Sequence, residues 1–520
     1  MTSSSPISAA PGPGAAAAGP DPRRWRALAL LALVQFMFAL DMTIVNPALP
    51  TIQRDLSFST SGLAWVVNGY TLMAGGFLIV GGRAADFLGR RRMFVIGTVV
   101  FALASALSGL AQDSAMLVTA RFAQGLGEAL AAPAALSLVV LLFTDPRERA
   151  KAIGAWGGII GVGATLGVVI SGIIVDEIGW RWIFLVNLPV ALMIVFVVPR
   201  MVSESRIGGE RRIDFMGAVL VTGGLTLMVD GLLNASSHNW GSSTVLIPLL
   251  TGVALLIGFA ISQAASKDPL VPRRFFKDRT RVSANVATIF AGAGFFTMFF
   301  SLTLYMQDVL HYSALRTGLA WGPFGLMLFA GLGASARILP RFGVRNGLIF
   351  SYLLSAAGLF LLGGISTHSS YASALLPGML VMAFGQAISF VGLINSGLHR
   401  LGPADAGLGS AVQNTSQQLG GSLGLAVLVA IAIRHATSEA AHGAATATAA
   451  TDGYALALRL GAAAMIAGAI LVTVLFEKVD FIAPDKAALE AAEAAAGQIS
   501  EATETAAQAA PVPQARQASS

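Results

Sequence analysis

The sequence predicts an all-α polytopic membrane protein, and three observations carry that prediction. The 520-residue chain is 55% hydrophobic and only 12% charged. Its apolar residues come in runs of about twenty, the length a helix needs to cross a bilayer. Its basic residues fall in the short gaps between those runs, mostly on one side. That placement accounts for the net charge of +6 by topology, so no nucleic-acid partner is expected. The absence of cysteine excludes disulfides, iron–sulfur centres and thiolate metal sites. Abundant alanine, and arginine in place of lysine, match the codon bias of a GC-rich bacterial genome.

Residues 1–22 are nearly all Ser, Pro, Gly and Ala, which bury too little surface to order themselves, and a disordered tail is expected there. Arg23, Arg24 and Arg26 then precede the first apolar run. This run is not a signal peptide: it continues past twenty residues, carries Asp41 and has no small-residue cleavage pattern. Hydropathy places fourteen spans near 25–48, 62–82, 93–111, 115–142, 150–174, 182–199, 215–233, 244–263, 282–306, 315–338, 346–364, 374–398, 409–433 and 454–475. An even count puts both termini on one side. That side holds all 33 lysines and arginines except Arg121, inside a span, and Arg54, Arg181, Arg316, Arg434 and Arg459, on or near the other face. Both termini are therefore expected in the cytoplasm of a bacterial plasma membrane. The Ala/Glu/Gln-rich segment 480–520 reads as a low-complexity cytoplasmic tail.

An internal repeat organises these spans. Gly62-Leu63-Ala64-Trp65 opens span 2 and Gly318-Leu319-Ala320-Trp321 opens span 10, and each span ends in an arginine-bearing loop. Spans 1–6 then correspond to spans 9–14, with two spans inserted between them. The expected organisation is a six-helix bundle over 23–204, two inserted helices over 205–264 and a second six-helix bundle over 265–479.

The loop after span 2, Gly82-Arg83-Ala84-Ala85-Asp86-Phe87-Leu88-Gly89-Arg90-Arg91-Arg92, carries more than positive-inside topology requires. It resembles the signature loop between helices 2 and 3 of the major facilitator superfamily. Leu40 to Pro50 resembles that family's first-helix motif, Arg121-Phe122-Ala123-Gln124-Gly125-Leu126-Gly127 its fourth-helix motif, and Trp180 to Pro189 the entry to its helix 6. Pro269-Leu270-Val271-Pro272 with Phe275-Phe276, and Gln417-Gln418-Leu419-Gly420-Gly421, are similar to the fourteen-helix drug:proton antiporter branch, the multidrug and antibiotic exporters. The resemblance implies a major facilitator fold and a gate in which Gly82, Asp86, Gly89, Arg90 and Arg91 hold the cytoplasmic side shut. In that gate Asp86 caps a helix of the opposite half, and Arg90 reaches an acid near the cytoplasmic end of helix 4, for which Asp145 is the matching residue. Glycine-rich span 5 corresponds to the antiporter helix through Gly163, Gly167 and Gly172, with Val168 where the family has proline and Ser171 where it has glycine. The second repeat's loop has Pro340 where Asp86 would fall, so an asymmetric latch is expected.

Chemistry is expected from charges inside the membrane, which cost about 2.5–3.5 kcal/mol each at mid-bilayer on insertion scales. Asp41, Arg121 and Glu128 are the candidates. Counted from their helix ends at ~1.5 Å per residue, Asp41 and Arg121 reach similar depths, either as a structural ion pair or as a proton site. In the second reading, movement of the guanidinium relative to the carboxyl switches its proton affinity. Glu128 follows Arg121 by two turns on nearly the same face, as a second proton site or an anionic contact for a cationic substrate. Substrate contacts are expected from Gln124, Phe295, Phe299, Gln386, Asn395, Gln413, Asn414 and Gln417, in an apolar cavity suited to bulky amphipathic molecules. Asp230, near the outer end of span 7, reads as interfacial. Gly420-Gly421-Ser422-Leu423-Gly424 fits a hydrolase pattern but lies in a membrane helix, and no phosphate-binding G-x-x-x-x-G-K-[ST] motif is present, so neither an enzyme nor a nucleotide-driven pump is expected. The expectation is a monomeric exporter whose partners are protons, a small-molecule substrate and lipid, driven by the proton gradient without a cofactor.

Overall fold

Apolar runs bounded by Gly, Pro and charged residues become helices, because a backbone in lipid has no other way to pair its own N–H and C=O groups. The computed structural model describes residues 24–143, 145–206, 214–266, 269–401 and 406–477. The tails expected over 1–22 and 480–520 lie outside the described residues. The first half comprises α1 (Arg24–Ile44), a short α2 (Leu49–Asp55), α3 (Thr60–Leu88), α4 (Arg90–Gly109), α5 (Ser114–Leu142), α6 (Pro146–Glu177), α7 (Trp182–Leu185) and α8 (Asn187–Met201). Two further helices follow, α9 (Phe215–Asn234) and α10 (Ser243–Ala265). The last six are α11 (Arg279–Leu304), α12 (Ala314–Phe342), α13 (Val344–Leu362), α14 (Leu376–Gly397), α15 (Ala406–Ala441) and α16 (Thr446–Leu475).

Among the described residues, thirteen stretches are long and apolar enough to cross a membrane. The remaining predicted span is α6, whose 32 residues rise about 48 Å and pack between α1 and α12. The chain thus has an all-helical architecture of thirteen to fourteen membrane-spanning helices. Packing repeats between the halves: α1 on α6 and α11 on α15, α3 on α5 and α12 on α14, α4 on α5 and α13 on α14. The inserted helices pack on each other, and α9 lies against α3 and α15.

Three local features depart from the hydropathy reading. Within the first span α1 ends at Ile44, because Pro47 lacks the N–H that would bond the Thr43 carbonyl, and the chain passes through a single turn over Asn46–Ala48 into α2. The span near 182–199 is interrupted at Val186 into α7 and α8. Wide π-type turns at Tyr305–Val309 and Tyr371–Leu375 adjoin α11 and α14.

The helices of the two halves touch at mid-depth and towards the face opposite the start of α1, while nearer the start of α1 Arg83 donates to the Pro269 and Leu270 carbonyls ahead of α11. Thr71 and Ser422 share a 2.5 Å hydrogen bond, and Thr415 donates to the Gly75 carbonyl at 2.9 Å. Further towards that opposite face, α6 lies so close to α12 that a β-carbon at Gly172 would stand 2.6 Å from the Ala314 carbonyl. Gly163 and Gly167 instead face α1, where a β-carbon on Gly167 would meet the Leu40 carbonyl at 2.8 Å. The three glycines of the antiporter helix therefore divide their work: two seat α6 on its own half and one seats it on the other.

Candidate functional site

Asp41 on α1 and Arg121 on α5 are drawn together by a simple requirement: an ionised group in lipid needs a partner. Arg121 Nη1 donates to Asp41 Oδ2 at 2.6 Å, and the two side chains are 1% and 0% exposed. Arg121 and Gln124 lie three residues apart on one face of α5, so Gln124 joins the pair. Gln124 Nε2 donates to Asp41 Oδ1 at 3.1 Å, and its Oε1 accepts from Arg121 Nη1 at 2.9 Å. Asn187, at the start of α8, donates to Asp41 Oδ1 at 2.8 Å and to Ser105 Oγ at 3.0 Å. Ser105 in turn donates to the Phe184 carbonyl at 2.8 Å, and Ser108 to Gln124 Oε1 at 3.2 Å. Arg121 Nε closes the network on the Val66 carbonyl at 2.9 Å, with the guanidinium 4.4 Å from the Tyr70 ring. Six helices of the first half, α1, α3, α4, α5, α7 and α8, thus meet in the network around one ion pair, and Asp41 receives three donors.

Glu128 lies two turns along α5. The Tyr70 hydroxyl is the polar group facing its carboxyl, and neither Tyr70 Oη nor Glu128 Oε2 completes a hydrogen bond. Tyr70 therefore touches both charges, its ring under Arg121 and its hydroxyl towards Glu128. The contrast between the two acids is chemical: both Asp41 oxygens accept hydrogen bonds, three in all, whereas Glu128 keeps a buried oxygen that accepts none.

Between the halves lies a cavity of about 20 Å³, room for a single water. Met42, Thr43, Asn46 and Val67 line it from the first half, and Phe295, Phe296, Phe299, Phe300 and Leu425 from the second. Of the residues expected to contact substrate, Phe295 and Phe299 are there, the latter stacked on Trp321 at 4.0 Å. The others are not among its lining. Gln124 is consumed by the charge network, and Gln413 is turned into helix packing, donating to Thr288. Gln386 is buried, Asn395 and Gln417 are half-buried and Asn414 is exposed, all away from this cavity. Asp41 does not line it either, although its neighbours Met42 and Thr43 do.

The loop contacts expected to close the amino-terminal face are arranged differently. Among the described residues Asp86 caps no helix of the other half: it accepts from Arg90 Nε and Nη2 at 3.0 and 2.9 Å, one turn away. Asp145 caps its own helix, accepting from the Glu148 amide at 2.9 Å, so Arg90 does not pair with it. Arg91 Nη1 instead donates to the Pro199 and Val202 carbonyls, and Glu204 accepts from the Arg91 and Arg92 amides at 3.1 Å. Gly89, at φ +110°, makes the turn into α4 and lies against the Glu204 carboxylate, while Gly82 passes Pro133 of α5. The physical reason is local: the Arg90 guanidinium lies one turn from Asp86 and donates two hydrogen bonds to its Oδ1.

A carboxylate does cap a helix across the halves, but on that opposite face. Asp176, at the end of α6, accepts from the Ala314 and Leu315 amides at the start of α12 at 3.2 and 2.9 Å. Gln307 adds a bond to the Pro47 carbonyl at 2.8 Å. The sequence signal for Asp176 is an acid at a helix end, which is too common to single out unaided. A capping carboxylate stabilises a helix terminus by about 1 kcal/mol, so Asp176→Ala should shift the opening equilibrium of this face by roughly fivefold. In the cysteine-free chain, the labelling rate of Asn46→Cys by an impermeant thiol reagent reads that shift, and an unchanged rate would remove Asp176 from the gate.

Known proteins resemble the chain at both levels. A puromycin resistance protein of Streptomyces alboniger is 38% identical over 478 residues, covering 91% of this chain and 95% of that protein. A lincomycin resistance protein of Streptomyces lincolnensis is 35% identical over 78% of this chain and 84% of its own length. An auto-inhibited peptide transporter of the POT family superposes with a TM-score of 0.64 at 15% identity, covering 88% of this chain and 99% of that structure. Residues 31–425 match the family described as Major Facilitator Superfamily, and with that match spanning most of the helices described above, the chain belongs to the major facilitator superfamily of membrane transporters.

Proposed function

We propose that the protein exports hydrophobic or amphipathic small molecules, antibiotics among them, across a bacterial plasma membrane in exchange for protons. The observation that carries this reading is the buried Asp41–Arg121 pair, linked through Tyr70 to Glu128, in the wall of a helical half that meets its counterpart across an aromatic cavity. The antibiotic-resistance relatives support the substrate class, and their bacterial sources support the membrane. On the charge asymmetry of the loops, both termini are cytoplasmic, and the closed face is the outer one. The cavity is far below the ~300–1,000 Å³ of a drug-sized site, so the aromatic side chains that fill it must move aside before a drug-sized molecule is loaded. Asp41, Arg121 and Glu128 form the coupling site, with Glu128 exchanging the proton and the ion pair holding the opposing charge. The chain acts as a monomer, and its two six-helix bundles, 23–204 and 265–479, rock about the cavity. Each inward proton supplies about 2.3 kcal/mol per 100 mV plus the pH term.

Everted vesicles expressing the protein should accumulate a lipophilic dye when energised and release it on addition of a protonophore, while intact cells accumulate less than controls. Accumulation by intact cells and not by vesicles would make the protein an importer instead.

A further inference from the structure

A second groove lies outside the cavity, on the flank of the first half, where α9 passes α3 and α5. It measures about 270 Å³ and is lined by Trp65, Val118, Phe122, Thr226, Leu227 and Asp230. Five of these six supply aromatic or apolar surface or a single hydroxyl. The sixth is a carboxylate on a membrane-spanning helix. Asp230 lies four residues before the end of α9, about 6 Å from its terminus. Its described partner is Asn234, whose Nδ2 donates to Oδ2 at 3.1 Å, and no cation pairs with it among the described residues. The rings of Trp65 and Phe122 stand 5.9 Å apart at 34°, so together they offer extended aromatic surface beside that acid.

We infer that this groove is a binding site for an amphipathic organic cation, held by Asp230 and the rings of Trp65 and Phe122. Two physical arguments select that occupant. A carboxylate beside aromatic and apolar side chains without a cationic partner is costly, and an incoming cation removes the cost while aromatic faces attract the same charge. A zwitterionic lipid headgroup would bring a phosphate next to its ammonium, and the lining has no Lys or Arg to receive it. The site is separate from the cavity between the halves, whose lining includes no acid. It adds a lateral station for cationic molecules in the bilayer, beside α9 of the inserted pair.

The test uses the full chain in phosphatidylcholine nanodiscs, with Leu227→Cys, the only thiol, carrying a bimane fluorophore; Val118→Cys is the second reporter if the first variant does not fold. Titration with tetraphenylphosphonium should shift the bimane emission saturably, and adding Asp230→Asn should raise the half-saturating concentration at least tenfold. Neutral triphenylmethanol should give no saturable shift. An unchanged titration in the Asp230→Asn variant, an equal response to the neutral probe, or the same shift produced by phosphatidylethanolamine in the disc without added cation would overturn the proposal. The last of these would assign the groove to a lipid headgroup.

Discussion

Asp41→Asn should destabilise the protein by about 3–5 kcal/mol, the range found when one member of a buried ion pair is removed. The cause is the partner left behind. Arg121 is 1% exposed and cannot shed its proton, so without Asp41 its guanidinium is a buried charge with only neutral acceptors at Val66 and Gln124. The asparagine amide would also set a donor either against Arg121 Nη1 or against Gln124 Nε2 and Asn187 Nδ2, all of which now donate to Asp41. Thermal denaturation in detergent measures the loss. A charge-neutral pair, Asp41→Asn with Arg121→Gln, should recover most of it, since replacing both ions removes the unpaired charge. Full wild-type stability in the single variant would mean that the pair is not what joins α1 to α5. Transport by the refolded double variant then separates the two readings of the pair that the sequence left open. Retained pH-gradient coupling makes it structural, and lost coupling makes it part of the proton site.

Glu128→Gln is expected to do the reverse, leaving the fold and removing the coupling. The amide has the same shape, and because Glu128 Oε2 has no hydrogen-bond partner, little bonding is lost. A pH gradient of one unit, acting through one exchanged proton, supports about a tenfold concentration ratio of substrate, since one unit is 1.36 kcal/mol. In proteoliposomes the variant should therefore lose roughly that tenfold accumulation for each unit imposed, while downhill efflux continues. Undiminished gradient-driven accumulation would move the proton site elsewhere. The two variants together assign stability to Asp41 and coupling to Glu128, an arrangement the network supports because Tyr70 lies against both Arg121 and Glu128.

Some of the site was legible before any coordinates, and the residues that were share one property. Asp41 and Arg121 are 80 positions apart, yet a charge in lipid is expensive enough to demand a partner, and depth counting narrows the choice to very few. Gln124, Asn187 and Ser105 hold the same pair but were not assigned to it, because neutral polar side chains are inexpensive in many places and carry no such demand. Gln124 in particular was expected in the cavity. The gate went the same way. The loop motif around Asp86 identified a family, but which acid caps which helix depends on which face is closed, and in this conformation that acid is Asp176.

The amino-acid sequence alone determined the apolar runs, their membrane setting and the charges that must find each other. Hydropathy records whether a stretch meets lipid or water, and the record is local. The tertiary structure decided how each helix is turned about its axis, and hence that Gly172 faces the other half while Gly167 faces its own, that Asp41 is enclosed and that Glu128 keeps an open oxygen. Rotation and crossing are set by side chains packing across helices distant in the chain, so they take definite values only once all the helices are assembled.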